Sequence, residues 1–599
     1  MNKNQLIIFL LFISGALMSA RDIQYTLFME APHTHLIDIQ IEINGLDGEY
    51  IDLSMPVWTP GSYLVREYSK NIMKVSAHHK KSQLTVSKTD KNTWRIFLDK
   101  HKKITVDYQV YAFEMTVRTS FMDEDFAMLN GASIFLIPDG YNDTQLIVDI
   151  EPYYKWEKTT TELPKYKGSY NKFISEDFDQ LVDSPIIIGN HNTYKFSASG
   201  VQHIYAITDT GNFDMDKIIP DTQKIVETAN NIFNDVPYDH YTFFLNTADG
   251  AYGGLEHKNS CSLIFDRWKF KDRKDYLRFM GLVSHEFFHV YNIKRIRPTE
   301  LGPFDYDNEN YTTLLWVSEG LNSYYDNHLL RRSDIATVDE YLGFIADDLK
   351  RLDALPGRKV QSVSESSFDA WIKLYRSNEN SMNSTISYYL KGSLIGWVLD
   401  LKIRHATGGE RSLDDVFREL WLDYRDTGNG FTEENVIDYS NRISGENLSD
   451  IWEYLHSTNE IDYDRYLSPF GLKLEKSYKD DEKQDEAWFG ITLNKEMKIT
   501  RINSESPAYR DGLNVHDEII SLNGFRLTSD SYKKHLARME KDHPAKFIVS
   551  RRGIIRSMEV TPGDQPFDKY EILQVENPSA SAKTLYENWL YTKWESKDK

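Results

Sequence analysis

The apolar pattern changes period along the chain, and no single layer of structure can hold both periods. From residue 21 to about 190, apolar and polar residues alternate, as in Leu36-Ile37-Asp38-Ile39-Gln40-Ile41-Glu42-Ile43 and Ile104-Thr105-Val106-Asp107-Tyr108-Gln109-Val110-Tyr111. A period of two buries one face of a strand. Further strands are expected over Ala132-Ser133-Ile134-Phe135-Leu136-Ile137 and Leu146-Ile147-Val148-Asp149-Ile150, with turn residues between. Many short strands punctuated in this way predict a sandwich. After about residue 200 the spacing becomes helical, over 217–234, 273–293, 387–405 and 412–424, with a strand from His240 to Leu245. The stretch 475–487 is charged and poor in apolar residues, which predicts a linker or exposed loop. Mixed β structure with one helix (531–540) follows, then a helical piece holding Trp589, Leu590, Tyr591 and Trp594.

The chain is therefore expected to be multidomain α+β. The expected divisions are a signal peptide (1–20), an N-terminal β-sandwich (21–195), a catalytic domain with a helical second half (196–470), a small β domain (480–563) and a C-terminal tail with a helix (564–599). Its 599 residues are too many for one core. The first residues have a basic start, the apolar run Leu6 to Ile13, then Met18-Ser19-Ala20 before Arg21. That is the layout of an export signal. An exported protein, periplasmic or extracellular, is expected, with no stable membrane span. The lone Cys261 allows no intrachain disulfide. A net charge of −21 repels phosphate and excludes nucleic acid as a general partner.

The sharpest chemical signal is His285-Glu286-Phe287-Phe288-His289. On a helix, residues i and i+4 share a face, so two imidazoles can converge on one Zn²⁺. The Glu between them can take a proton from water at the metal. Tyr276, Phe279, Met280, Val283, Phe287 and Val290 supply the helix's apolar stripe. A third ligand is needed. The candidate is Glu319, at the start of an apolar-aromatic helix. Glu300, Asp305, Asp307 and Glu309 lie in a polar loop and offer no rigid frame. Upstream, Gly253-Gly254-Leu255-Glu256-His257 pairs two glycines, which permit close backbone approach, with a carboxylate able to meet a cationic substrate group. Downstream, Ser387-Tyr388-Tyr389-Leu390-Lys391-Gly392 offers a hydroxyl that could donate to an oxyanion.

Taken in order, and with Pro56-Val57-Trp58-Thr59-Pro60-Gly61-Ser62-Tyr63 and Arg66-Glu67-Tyr68 ahead of them, these motifs resemble the PDZ-containing glycyl aminopeptidase family of zinc metallopeptidases. The resemblance implies a thermolysin-like α/β and helical catalytic domain, with one Zn²⁺ per chain. It implies His285, His289 and Glu319 as metal ligands and Glu286 as general base. It implies Gly253, Gly254, Glu256 and His257 as the substrate-binding stretch, with Glu256 on the α-amine, and Tyr389 on the oxyanion. His257 stands where the broader aminopeptidases have Asn. The 29 residues between His289 and Glu319 form a longer connection than in that group. Ser506-Pro507-Ala508, Gly512-Leu513, Asp517-Glu518-Ile519-Ile520 and Asn523-Gly524 are similar to a PDZ domain. Its carboxylate loop falls on Phe489, Gly490 and Ile491 after Trp488, and His516 replaces a usual Gly.

The resulting expectation is an aminopeptidase acting on peptides with a free N-terminus, with Gly or Ala preferred by resemblance. A peptide C-terminus is a further possible partner at the PDZ domain. Two other readings are an endopeptidase trimming exported proteins and a catalytically silent PDZ adaptor.

Overall fold

A computed structural model describes residues 22–480, 486–539, 541 and 543–595. The expected export signal lies outside them. Among the described residues no helix is long and apolar enough to cross a membrane. The chain forms two compact units.

The first unit takes in residues up to 57, 67–115 and 119–190. Its main sheet has seven strands, in spatial order Lys172–Ser175, Leu146–Glu151, Asp22–Phe28, Leu36–Asn44, Lys103–Tyr111, Ile72–His79 and Ser82–Leu84. Alternation does what it predicts: Ile37, Ile39, Ile41 and Ile43 are all buried. Two four-stranded sheets complete the β-rich unit. The strand expected over 132–137 does not form as one. Gly131–Ser133 is a 3₁₀ turn, and only Ile137–Pro138 pairs in a sheet. The carbonyls of Ile134 and Leu136 accept instead from the hydroxyls of Tyr108 (2.9 Å) and Tyr25 (2.8 Å). The apolar run is buried, but side chains rather than a neighbouring strand satisfy its backbone.

The second unit holds the rest, together with two short pieces from early in the sequence, Trp58–Arg66 and Thr116–Arg118. It begins with a five-stranded sheet built from β1 (Asn192–Ala198), β2 (Val201–Ile207), β3 (His240–Thr247), β4 (Tyr252–Glu256) and β5 (Ser260–Phe265), in the order β1-β2-β3-β5-β4. Strand β4 is thus an edge. Helix α1 (Met215–Phe233) and helix α2 (Arg273–Phe288) pack with it. Helix α2 stops earlier than its periodicity predicts, with His289 as its C-cap. The chain then folds under so that the Asn292 carbonyl meets His289 Nδ1. Helices α3 (Leu321–Arg332) and α4 (Tyr388–Ala406) cross where Gly320 meets Gly392. A Cβ on Gly320 would lie 2.7 Å from the Tyr388 carbonyl and 2.8 Å from Gly392 Cα, so Gly320 cannot carry a side chain, and one on Gly392 would be tight at 3.0 Å from Gly320 Cα.

The stretch expected to be a linker is partly strand. β6 (Leu472–Ser477) pairs antiparallel with β7 (Lys569–Gln574). A two-stranded ribbon exposes most of its side chains, so charged residues suit it and no apolar period marks it. The PDZ fold is inserted between these two strands, with strands Ile491–Leu493, Ile499–Ile502, Glu518–Leu522, Phe525–Arg526, Ala545–Arg551 and Ile554–Val560 and the helix Ser529–Leu536. The expected tail is therefore a return into the catalytic unit. Its helix α5 (Ala580–Leu590) buries Trp589 and Leu590. Arg331 Nε donates to the Leu590 carbonyl at 3.0 Å.

Candidate active site

Helix α2 presents His285, Glu286 and His289 within one turn. Asp272 caps its start by accepting from the backbone N–H groups of Lys274 and Asp275. Glu319 arrives from a π-helical turn, Trp316–Gly320, that leads into α3. His285 Nε2, His289 Nε2 and Glu319 Oε2 lie 3.0, 3.2 and 3.3 Å apart pairwise. Ligands about 2.0–2.1 Å from a tetrahedral centre stand about 3.3 Å apart, so this set fits one zinc ion. The outer nitrogens are committed elsewhere. His285 Nδ1 donates to Asp326 Oδ1 at 2.9 Å, and His289 Nδ1 to the Asn292 carbonyl at 2.7 Å. In the neutral ring that leaves each Nε2 lone pair facing the site. Asp326 lies seven residues after Glu319, on the same helical face.

The charge balance points the same way. Glu256, Glu286, Glu319 and Asp326 surround two imidazoles. Burial alone would lower the His285 pKa, yet Asp326, Glu319 and Glu286 hold it well above the ordinary histidine value. Burial would raise Glu319, yet the imidazoles hold it at about 2. The Glu286 carboxyl is pushed up to about 7, chiefly by burial, with Glu256 and Glu319 adding to the rise. Such a cluster draws in positive charge. Glu286 Oε2 is buried with no hydrogen-bond partner among the described residues.

Strand β4 carries the next group. A Cβ on Gly254 would stand 1.9 Å from Glu286 Oε1, so any larger residue would displace the Glu286 carboxylate. Glu256 is buried, and its carboxylate forms a second cluster with Glu286 and His289, with ligand atoms within 4.8 Å of one another. Gly253 lies one residue along the strand, on the opposite face. His257 is buried at the strand's end, with Nε2 3.4 Å from Ser262 Oγ. Its backbone N–H donates to the Ser260 carbonyl.

Both tyrosines of the α4 segment are near. Tyr389 lies beside His285, ring centroids 6.3 Å apart, with its hydroxyl 3.2 Å from that of Tyr375. Tyr388 stacks on Tyr389 at 4.6 Å, and its buried hydroxyl has no partner among the described residues. Glu300, Asp305, Asp307 and Glu309 are not drawn in. Asp305 instead caps its own loop, accepting from the Asp307 and Asn308 N–H groups.

Asp326 and Tyr375 carried no assigned role in the sequence, and neither did two more distant contributors, Gly61 and Arg118. Gly61, at φ +86°, lies against Glu256: a Cβ there would sit 2.4 Å from its carboxylate. Its loop is fixed by Trp58, whose Nε1 donates to the Asp305 carbonyl at 2.8 Å, and by the packing of Trp58 and Tyr63 on Trp371. Arg118 Nη2 donates to the Gly254 carbonyl at 3.2 Å. Both residues are remote in sequence from the motifs they touch, and only Gly61 lies in a stretch, Pro56–Tyr63, that the family resemblance had marked.

In the PDZ fold, Phe489 is buried against Phe547, with ring centroids 4.9 Å apart. Gly490 has φ +72°, and a Cβ on it would lie 2.1 Å from Ser506 Cβ. Ile491 opens the strand Ile491–Leu493, which pairs with Ile499–Ile502. His516 adopts φ +73°, a left-handed conformation that explains why glycine is usual there. Asn383 joins this domain to the catalytic unit. Its Nδ2 donates to the Ile502 carbonyl and its Oδ1 accepts from Ser504 N–H, both at 2.8 Å.

The N-terminal domain of the M61 peptidases matches residues 24–190, the M61 glycyl aminopeptidase domain residues 278–395, and the PDZ domain residues 464–559. Among solved structures, an aminopeptidase N family protein from Idiomarina loihiensis is 31% identical with a TM-score of 0.88. The match covers 95% of this chain and 100% of that one. An M1 zinc metallopeptidase from Deinococcus radiodurans is 11% identical with a TM-score of 0.46, over 74% and 96% of the two chains. Legionella pneumophila aminopeptidase A is 13% identical with a TM-score of 0.47, over 93% and 57%. No curated protein matches the chain in sequence.

Proposed function

The chain belongs to the M61 glycyl aminopeptidase family, and from that premise we propose an exported aminopeptidase, periplasmic or extracellular, that removes N-terminal Gly or Ala from peptides with one zinc ion per chain. His285, His289 and Glu319 would hold the ion. Zinc held there would supply a Lewis acid that polarises the scissile carbonyl and eases deprotonation of water. Two imidazoles and a carboxylate are donors that suit it.

The chain's own groups account for the remaining steps. Glu286 takes the proton of the attacking water and returns it to the leaving amine. Tyr389 donates its hydroxyl hydrogen to the oxygen that gains charge. Glu256 accepts from the substrate's α-ammonium. One observation carries the exopeptidase reading: Glu256 lies within 4.8 Å of both Glu286 and His289. That spacing has room for the α-carbon of one residue between ammonium and scissile carbonyl, and no room for a preceding chain. The Trp58–Tyr63 wall beside Glu256 favours a small first side chain. Burial, then the charges of Glu319 and Glu256, raise the Tyr63 phenol well above its ordinary value. The PDZ domain, whose strand Ile491–Leu493 has one neighbouring strand among the described residues, suits capture of a peptide C-terminus by strand addition.

The test compares glycyl-p-nitroanilide with its N-acetylated form on protein of measured zinc content. Cleavage of the free form alone, with one zinc per chain, is expected. Equal cleavage of both forms would remove Glu256 from its role and leave an endopeptidase.

A further inference from the structure

The active site is rich in carboxylates, so the free carboxylate of a short peptide would be repelled unless a cation met it. Arg118 is placed to do so. It comes from the short piece Thr116–Arg118 that belongs to the catalytic unit. Its Nη2 donates to the Gly254 carbonyl at 3.2 Å, and its Nη1 lies 3.5 Å from where a Gly253 Cβ would stand. Burial raises the pKa of the Tyr375 phenol, the partner of Tyr389, and the positive charge of Arg118 opposes that rise.

Strand geometry sets the length of peptide that fits. β4 is an edge strand, so a substrate can lie along it, ammonium at Glu256 and chain running back towards Gly254. Two residues of strand span about 7 Å. An extended dipeptide spans about the same from ammonium to carboxylate. With its first residue at Glu256 and its scissile bond beside Glu286, a dipeptide ends where Arg118 sits. The guanidinium already engages the Gly254 carbonyl, the group that a longer strand-like substrate would need for pairing.

We infer that Arg118 binds the C-terminal carboxylate of dipeptides and makes them the preferred substrates. This rests on the aminopeptidase reading. Arg118 is the specificity determinant on the leaving-group side, as Glu256 is on the amine side.

The experiment compares glycyl-alanine with glycyl-alanine amide, using glycyl-p-nitroanilide as a substrate with no carboxylate. A charged hydrogen-bonded pair predicts kcat/KM about 10- to 100-fold higher for the free dipeptide, carried mainly by KM. In Arg118→Gln the ratio should fall to near one. Arg118→Lys, a point charge without the planar fork, should keep part of it. Calorimetric binding of the same two peptides to Glu286→Gln reads the preference without turnover. Equal binding and equal kcat/KM for both peptides would overturn the inference. So would a ratio that survives in Arg118→Gln. If zinc-loaded protein cleaves none of the three substrates, the aminopeptidase reading falls by itself, and the calorimetric comparison still decides the role of Arg118. If Arg118→Gln does not fold, the wild-type pair and Arg118→Lys decide.

Discussion

Helices α3 and α4 carry two buried charge clusters, one at each end. At their starts lie Glu319 and Tyr389, beside His285, Glu286, His289 and Glu256. At their far ends lie Arg332 and, on α4, Asp400 and Arg404, with Asp414 nearby. The far cluster is neutral and closed. Asp400 accepts from Tyr324 (2.6 Å), Arg404 (2.8 Å) and the Leu413 N–H (2.8 Å). Asp414 accepts from Tyr325 (2.7 Å) and Arg332 (2.8 Å). Two carboxylates meet two guanidiniums. The near cluster sets four carboxylates around two imidazoles and leaves Glu286 Oε2 without a partner among the described residues. Burying charge in low dielectric is costly unless it is paired. The far cluster meets that cost within the chain and holds the helices together. The near one lacks that compensation within the chain, as a site completed by a bound cation would. Compensation within the chain thus separates a structural cluster from a functional one made of the same residue types on the same helices.

The largest effect that would test this division is on turnover. Glu286→Gln should lower kcat by about 10²- to 10⁴-fold, keep one zinc per chain by metal analysis, and leave the thermal midpoint no lower than wild type. A clear loss of stability would mean that Glu286 is structural after all. The opposite pattern is expected of Asp400→Ala. Removing one partner of a buried ion pair costs about 3–5 kcal/mol, read as a shift in the urea midpoint. Zinc content and turnover per folded molecule should hold. A mutant that stays stable but loses its metal would erase the distinction between the two ends.

The sequence made the near cluster legible where chemistry follows local spacing. His285 and His289 share a face by period alone, and Glu319 stands at a helix start. Gly254 and Glu256 sit in one strand, where alternation places both on the face that meets Glu286. Gly61 and Arg118 were not legible in these roles. Gly61 meets Glu256 across the whole β-rich region, and Arg118 meets Gly254 across 136 residues, so no local period links them. The same limit explains two errors in the fold. The apolar run Ala132–Ile137 is buried as its composition demands, but hydroxyls of Tyr25 and Tyr108 replace a neighbouring strand. The ribbon of β6 and β7 is held by a pairing across the inserted PDZ domain, which the charged stretch around 475 does not announce. The Asp400 cluster was partly hidden: Arg404 stands one turn along the same helix, but Tyr324 and the Leu413 N–H come from two others.

A third kind of buried ionisable group lies in the same unit and gives the smallest of these effects. His203, on β2, stacks on Phe196 with ring centroids 5.1 Å apart. Its Nδ1 donates to the Val201 carbonyl and its Nε2 accepts from the Tyr238 hydroxyl, each at 3.1 Å. Among the described residues no carboxylate pairs with it, and burial lowers its pKa from 6.5 to about 4. The unfolded chain therefore binds a proton below pH 6.5 that the folded chain refuses. Stability from the neutral ring is complete above that pH and is lost progressively as pH falls to about 4. The span corresponds to about 3 kcal/mol. Urea midpoints measured from pH 7 to pH 4 should show this loss, and His203→Gln should flatten it. Equal slopes in the two proteins would place the acid sensitivity elsewhere, for instance in Asp414, whose carboxyl Arg332 and Arg404 hold below its ordinary value against the effect of burial.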